Sequence, residues 1–236
     1  MRELEDYPWF PTTLRKFQTD YIGFVVAKFN IYDGFVNYLK NQNIKSKVHF
    51  DLCSGSGEPA ISIFNAVNIF DKLILSDKYP SYKNIEKLDV LEANFSEEHT
   101  YTMFNAFHHF NDTEKINIVQ KIKQANAKAY FVEILEPTAF YIFKVLFATI
   151  IGTLLLSPFI KPFSLKRLFF TYIIPINIIN ISYDGILSVL KSRSKTQLEK
   201  LFLNDHQVKI IRIKKDIRIL LIIAIENEHI QNSLEI

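Results

Sequence analysis

Apolar positions along this chain change their spacing three times. From Thr12 to about Lys40, the side chains Tyr21, Phe24, Val25, Phe29 and Tyr32 recur at helical spacing. This predicts helices that either pack across the mouth of a pocket or serve as ordinary core. From Lys47 to Glu136 short apolar runs alternate with longer amphipathic stretches. Val48 to Asp51, Leu73 to Ser76, Tyr101 to Asn105 and Ala129 to Ile134 read as strands, and Pro59 to Asn68 and Asp112 to Gln124 as helices. Such alternation predicts a parallel sheet covered by helices. Asn111 or Asp112 supplies the cap of the second helix, with Glu114 in its first turn, where negative charge suits the helix dipole. A third strand barely shows. Thr196 to Leu203 reads as a further helix, and Val208 to Ile213 with Ile217 to Glu226 as a hairpin around Lys214-Lys215-Asp216.

Between Pro137 and about Arg193 the pattern loses its polar face. Ala139 to Ile160 is interrupted only by Lys144, and Leu168 to Ile181 is a second apolar run containing Pro175. A bilayer span needs roughly 20 apolar residues, which the first run barely meets and the second does not. One crossing would also put the final helix and strands on the far side from the rest of the sheet. The insertion is therefore read as a lid, either buried or also touching a membrane surface. Lys144, Lys161, Lys166, Arg167, Lys191, Arg193 and Lys195 lie in or beside it, opposed only by Asp184. That pattern suits either an interfacial element on anionic lipid or solvated charges beside core helices.

Composition narrows the class. A chain of 236 residues with 48% hydrophobic side chains can bury one sizeable α/β core, and it is too apolar for general disorder. The expected layout is a single domain: N-terminal helices over 1–46, a nucleotide-binding half over 47–136, the insertion over 137–195, and a helix with two strands over 196–236. The single cysteine excludes an internal disulfide framework and a cysteine-built metal site, which points to a reducing, cytoplasmic setting. The acidic start, Met1 to Asp6, has no apolar segment of a secretory signal. A formal charge of +3 gives no reason to expect nucleic acid.

The chemistry begins at Val48-His49-Phe50-Asp51-Leu52-Cys53-Ser54-Gly55-Ser56-Gly57. Here an apolar run meets a glycine-bearing turn and then a helix-compatible segment. Glycines let the backbone turn tightly and approach a ligand, though a plain β-to-α turn has the same look. Asp77 ends the next strand about 20 residues later, where a ribose-binding carboxylate is expected. With Asp89-Val90 and the phrase Met103-Phe104-Asn105-Ala106-Phe107-His108-His109-Phe110, these segments resemble class I S-adenosylmethionine-dependent methyltransferases. The closest resemblance is to a bacterial branch, mostly of unassigned substrate, that pairs an FHHF phrase with a later YDG phrase, here Tyr183-Asp184-Gly185. It covers Val48 to the C-terminus. The resemblance implies a mostly parallel Rossmann-like sheet with an antiparallel C-terminal strand, and S-adenosylmethionine as cofactor. Its usual turn carries three glycines. Cys53 replaces the first, whose expected part is close packing.

The resemblance further implies a cofactor site of Asp51, Cys53, Gly55, Gly57, Asp77, Asp89, Val90 and Asn105. Asp51 would stand near the amino-acid part, Asp77 at the ribose and Asp89-Val90 at the adenine. His108 and His109 follow the fourth strand, where either could take a proton from an acceptor near neutral pH or simply shape the pocket. Glu133, Glu136, Tyr183 and Asp184 are substrate-side candidates, with local turns and caps as the competing explanation. No metal is expected, because no further ligand stands at supporting spacing. The reading is methyl transfer to a small apolar or lipid-like acceptor. Its rivals are a non-catalytic nucleotide- or cofactor-binding module and a membrane-anchored protein.

Overall fold

The computed structural model describes residues 2–215 and 218–226. Its sheet is built from β1 (Val48–Leu52), β2 (Lys72–Asp77), β3 (Glu86–Lys87), β4 (His99–Phe104), β5 (Lys128–Glu133), β6 (Val208–Lys215) and β7 (Arg218–Ile225). Their order across the sheet is β3-β2-β1-β4-β5-β7-β6. The first five strands run parallel, and β7 enters between β5 and β6 antiparallel to both. The third strand is only two residues long, which explains its faintness in the sequence. Strands β5 and β7 are buried almost end to end because helices cover both faces, and their sequences are accordingly unbroken apolar runs.

Two cores flank the sheet. On one face α4 (Asp112–Gln124) and α8 (Lys195–Leu201) set Ile118, Val119, Ile122 and Leu198 against Met103, Phe131 and Ile223. On the other, α2 (Asp33–Lys40) and α3 (Ala60–Val67) set Phe35, Leu39 and Ile63 against Leu75, Tyr130, Val132 and Ile222. The α4 cap is Asn111. Its side chain accepts from the Glu114 amide while the Glu114 carboxylate accepts from the Asn111 amide, closing a reciprocal capping box. The expected Lys214-Lys215-Asp216 turn is shifted: both lysines belong to β6, and 216–217 lie outside the described residues.

The insertion folds into α5 (Ala139–Leu156), α6 (Leu165–Tyr172) and α7 (Ile176–Lys191), which lie beside α1 (Thr12–Lys28). The second apolar run is broken at Pro175, where α6 and α7 meet at 76°. Proline lacks an amide proton and so starts a helix more readily than it continues one. The buried-lid expectation holds for one face only. Tyr141, Thr149 and Thr153 of α5 face inward and are buried, whereas Phe140, Phe143 and Phe147 are 71%, 72% and 70% exposed. The basic rim also thins. Arg167 is buried, donating to Asp20 at 3.1 Å and to the carbonyls of Ile160 and Pro162. Lys191 pairs with Glu3, and Arg193 pairs with Asp112.

Candidate functional site

The turn after β1 is locked by two serines. Ser54 Oγ and Ser76 Oγ both donate to the Asp51 carbonyl, at 3.1 and 3.0 Å, while the Ser54 amide donates to the Ser76 carbonyl. The turn is left-handed at three positions, with φ of +57° at Cys53, +57° at Gly55 and +94° at Gly57. The first glycine position is therefore a conformational one, contrary to the packing role expected from sequence. Cys53 occupies a region in which a Cβ is disfavoured. Gly55 presents its amide to Asp77 Oδ2 at 3.0 Å, and the Tyr79 amide reaches Asp77 Oδ1 at 2.8 Å. Each carboxylate oxygen thereby keeps a lone pair for a further donor.

A cavity of about 430 Å³ opens in front of this turn. Cys53, Gly55, Asp77, Asp89, Val90 and Asn105 form one wall of it. Asn105 is also left-handed, with φ +49°, and its buried Oδ1 has no hydrogen-bond partner among the described residues. Asp89 caps the turn beginning at Val90 by accepting from the Leu91 amide, and Lys78 pairs with it at 2.7 Å. The opposite wall is apolar: Ile22 and Val25 from α1, Leu135, Val145 and Ala148 toward α5, and Ile181 from α7.

Several expected site residues stand elsewhere. Asp51 lies beneath the turn, with Thr102 Oγ1 donating to it at 2.6 Å. Burial pushes its carboxyl up to about 7, against the hydrogen bonds from Thr102 and Ser54. Gly57 is packed on Ile61 and Leu75 behind the turn, so its bare Cα serves helix-to-strand contact instead of the ligand. Glu136 points to Arg212, at 2.7 Å, and Tyr183 is on the outer surface. Glu133 is buried at the end of β5, accepting from the Phe107 amide at 2.8 Å and from His108 Nδ1 at 2.7 Å. Burial would raise the Glu133 carboxyl, but His108 outweighs it and holds the group below its ordinary value. His108 is likewise behind the wall, its Nε2 buried without a hydrogen-bond partner among the described residues and 3.8 Å from Glu3.

His109 and Asp184 do line the cavity, and both are occupied by the acidic segment at the start of the chain. Residues Glu3 to Asp6 fold back over the site. His109 Nδ1 meets Asp6 at 3.0 Å, and its Nε2 lies 3.4 Å from Glu3 and 3.9 Å from Glu5. Burial disfavours a charged imidazole, yet Glu3, Asp6 and Glu5 together push His109 up to about 10. It is therefore a cation at neutral pH and cannot itself accept a proton. Glu5 also lines the cavity, and burial, aided by Glu3, Asp184 and Asp6 and opposed by His109, raises its carboxyl to about 8. The only hint in the sequence is three acids in four positions beside a single base, Arg2.

Glu3, His108 and His109 bring one ligand atom each within 4.8 Å of one another, a spacing that could hold an ion. Lys191 Nζ already sits 3.1 Å from Glu3 Oε1, and Ser188 Oγ donates to Glu3 Oε2 at 3.0 Å. The carboxylate is thus neutralised by the chain's own groups.

No family model and no curated protein matches the sequence. Among solved structures, the chain resembles an O-methyltransferase family 2 protein from Planctomyces limnophilus DSM 3776, solved with apigenin. That likeness has a TM-score of 0.53 at 12% identity, over 94% of this chain and 63% of the other. The pyocyanin biosynthetic protein PhzM matches with a TM-score of 0.47 at 10% identity, over 81% of this chain and 54% of its own. The mitomycin 7-O-methyltransferase MmcR matches with a TM-score of 0.47 at 12% identity, over 84% and 54%. The chain thus spans a little over half the length of these proteins. The likeness to the first of these proteins is one of fold.

Proposed function

We propose that the chain transfers a methyl group from S-adenosylmethionine to a small apolar or lipid-like acceptor. The observation that carries this reading is the single cavity joining the Gly55–Asp77–Asn105 wall to the apolar wall of α1, α5 and α7. The cofactor side fits the group. Asp77 has two lone pairs open to ribose hydroxyls, Gly55 bares its backbone, and the orphaned Asn105 Oδ1 awaits a donor such as an amine. When bound, the cofactor supplies an activated methyl on a sulfonium.

The chain's own residues would then hold donor and acceptor in line with water excluded, and take the proton that the acceptor gives up. Glu5 is the group placed for that proton, since it lines the cavity and its affinity lies near neutrality. His109, as a cation, fixes the acidic segment and offers positive charge to an acceptor oxygen.

Calorimetry with S-adenosylmethionine and its demethylated product tests the first half, and transfer of labelled methyl into an organic extract of cells tests the second. Failure to bind either nucleoside would end the proposal. Binding without transfer to any extracted compound would favour a cofactor-binding module instead.

A further inference from the structure

The outer surface of the insertion is apolar, while its buried side includes polar groups such as Thr149, Thr153, Asn177 and Ser182. On α5, Phe140, Phe143, Phe147 and Leu155 are all mostly exposed, followed in the loop and at the start of α6 by Phe159, Phe163 and Leu165. Single exposed apolar side chains are ordinary, but a contiguous group of this size marks a surface with a partner. The charge around it is of one sign. From Pro137 to Tyr183 the chain has no acidic residue, while Lys144, Lys161 and Lys166 stand exposed.

We infer that this face rests on a bilayer containing anionic lipid, with α5 lying in the headgroup layer and the apolar side chains reaching into the acyl boundary. The helix from Ala139 to Phe159 is long and apolar enough to cross a membrane, and only 17% of it is buried in the protein. Its inner side nevertheless ties it down. Thr149 Oγ1 bonds Ser182 Oγ of α7 at 2.9 Å, and the Tyr21 hydroxyl of α1 donates to the Ala148 carbonyl at 2.6 Å. Crossing would break these bonds and carry the polar groups into hydrocarbon. A second copy of the chain is a poor occupant, since two-fold pairing would set like charges face to face. Anionic headgroups complement them. The inference is independent of methyl transfer, and its test needs no cofactor.

The test is flotation of the purified full chain with phosphatidylcholine vesicles, with and without phosphatidylglycerol, at low and high salt. Binding is expected to the anionic vesicles, weakening as salt rises. Each lysine near such a surface is worth roughly fivefold in affinity, so Lys161→Gln with Lys166→Gln should weaken binding on the order of twentyfold. Phe143→Ser with Phe147→Ser should abolish it while leaving Tm unchanged, because both side chains are exposed. Three results would overturn the inference: no flotation under any condition, concentration-dependent dimers that the serine variant disperses, or a cellular protein released only by detergent.

Discussion

The Leu4 amide donates to Asp184 Oδ1 at 2.7 Å, although 180 positions separate the two residues. Asp184 sits within α7, and its other oxygen accepts from the Glu5 amide at 3.3 Å and from Gln18 Nε2 at 2.9 Å. One carboxylate thus fastens the start of the chain across a cavity whose walls come from everywhere else. Replacing Asp184 with Ala leaves three donors without an acceptor, at a cost of about 1–3 kcal/mol once water partly replaces it. We expect a lower Tm and faster amide exchange confined to residues 2–7 and the neighbouring part of α7. Unchanged exchange there would show that the segment is held by its other contacts.

Stability should fall as pH rises from 6.5 to 8. Glu5 moves from 4.5 to about 8 on folding, and His109 from 6.5 to about 10. Both bind protons more tightly in the folded state, so in the interval where their windows overlap the folded chain holds more protons than the unfolded one. Asp51, raised to about 7, acts in the same direction, and the lowered His49 opposes it only below 6.5. Calorimetric Tm values across this interval check the sign, and Glu5→Gln should flatten the slope. A Tm that climbs with pH would contradict the assignment.

Methyl transfer should rise with pH in the same range for the opposite reason. Glu5 must lose its proton before it can take one from the acceptor, so the rate of the bound complex is expected to increase through about pH 8. Glu5→Gln should lower kcat by about 10²–10⁴-fold and remove the rising limb, with cofactor affinity nearly unchanged. A variant that keeps the limb would move the proton to another group.

Asp77→Ala should weaken cofactor binding by about 1.5–3 kcal/mol, the worth of hydrogen bonds to a charged acceptor. Because Asp77 also receives the Gly55 and Tyr79 amides, a companion measurement of Tm is needed. Weak binding with a preserved Tm assigns the loss to the ligand. Full affinity would remove Asp77 from the ribose site.

Cys53→Gly tests the left-handed turn directly. Glycine relieves the Cβ at φ +57°, worth roughly 1 kcal/mol, and gives back part of it through the looser unfolded chain. Denaturant titration should show a modest net gain. A loss would mean that the thiol's packing outweighs the strain.

The sheet was legible in the sequence because each strand is a short apolar run and each turn carries its own punctuation. The helix expected over Asp112 to Gln124 is α4 to the residue, with Asn111 the one of its two cap candidates that serves, and Pro175 explains the bend that divides the second apolar run. That these residues meet was legible in part: Gly55, Asp77, Asp89, Val90 and Asn105 follow strand ends, strand ends in a parallel sheet share one edge, and all five line the one cavity. Depth was not legible. Nothing in the neighbours of Gly57 or Asp51 reveals that one packs behind the turn and the other beneath it. Tyr183 and Asp184 are adjacent, yet on a helix they face different ways, and only the acid reaches the cavity. Glu3, Glu5 and Asp6 were hidden for a simpler reason, since their carboxylates pair with His109 and Lys191, more than 100 positions away.

Two glycines set the rotation of α5. A methyl group on Gly152 would lie 2.2 Å from the Tyr21 hydroxyl, and one on Gly185 of α7 would lie 2.7 Å from Val145. Each contact is a keyway that admits the helix at one angle about its own axis. The phenylalanines on the far side contribute nothing to that fit, so their direction is decided by atoms absent from the near side. A single added carbon at Gly152 would turn or lift the whole aromatic stripe without altering one of its residues.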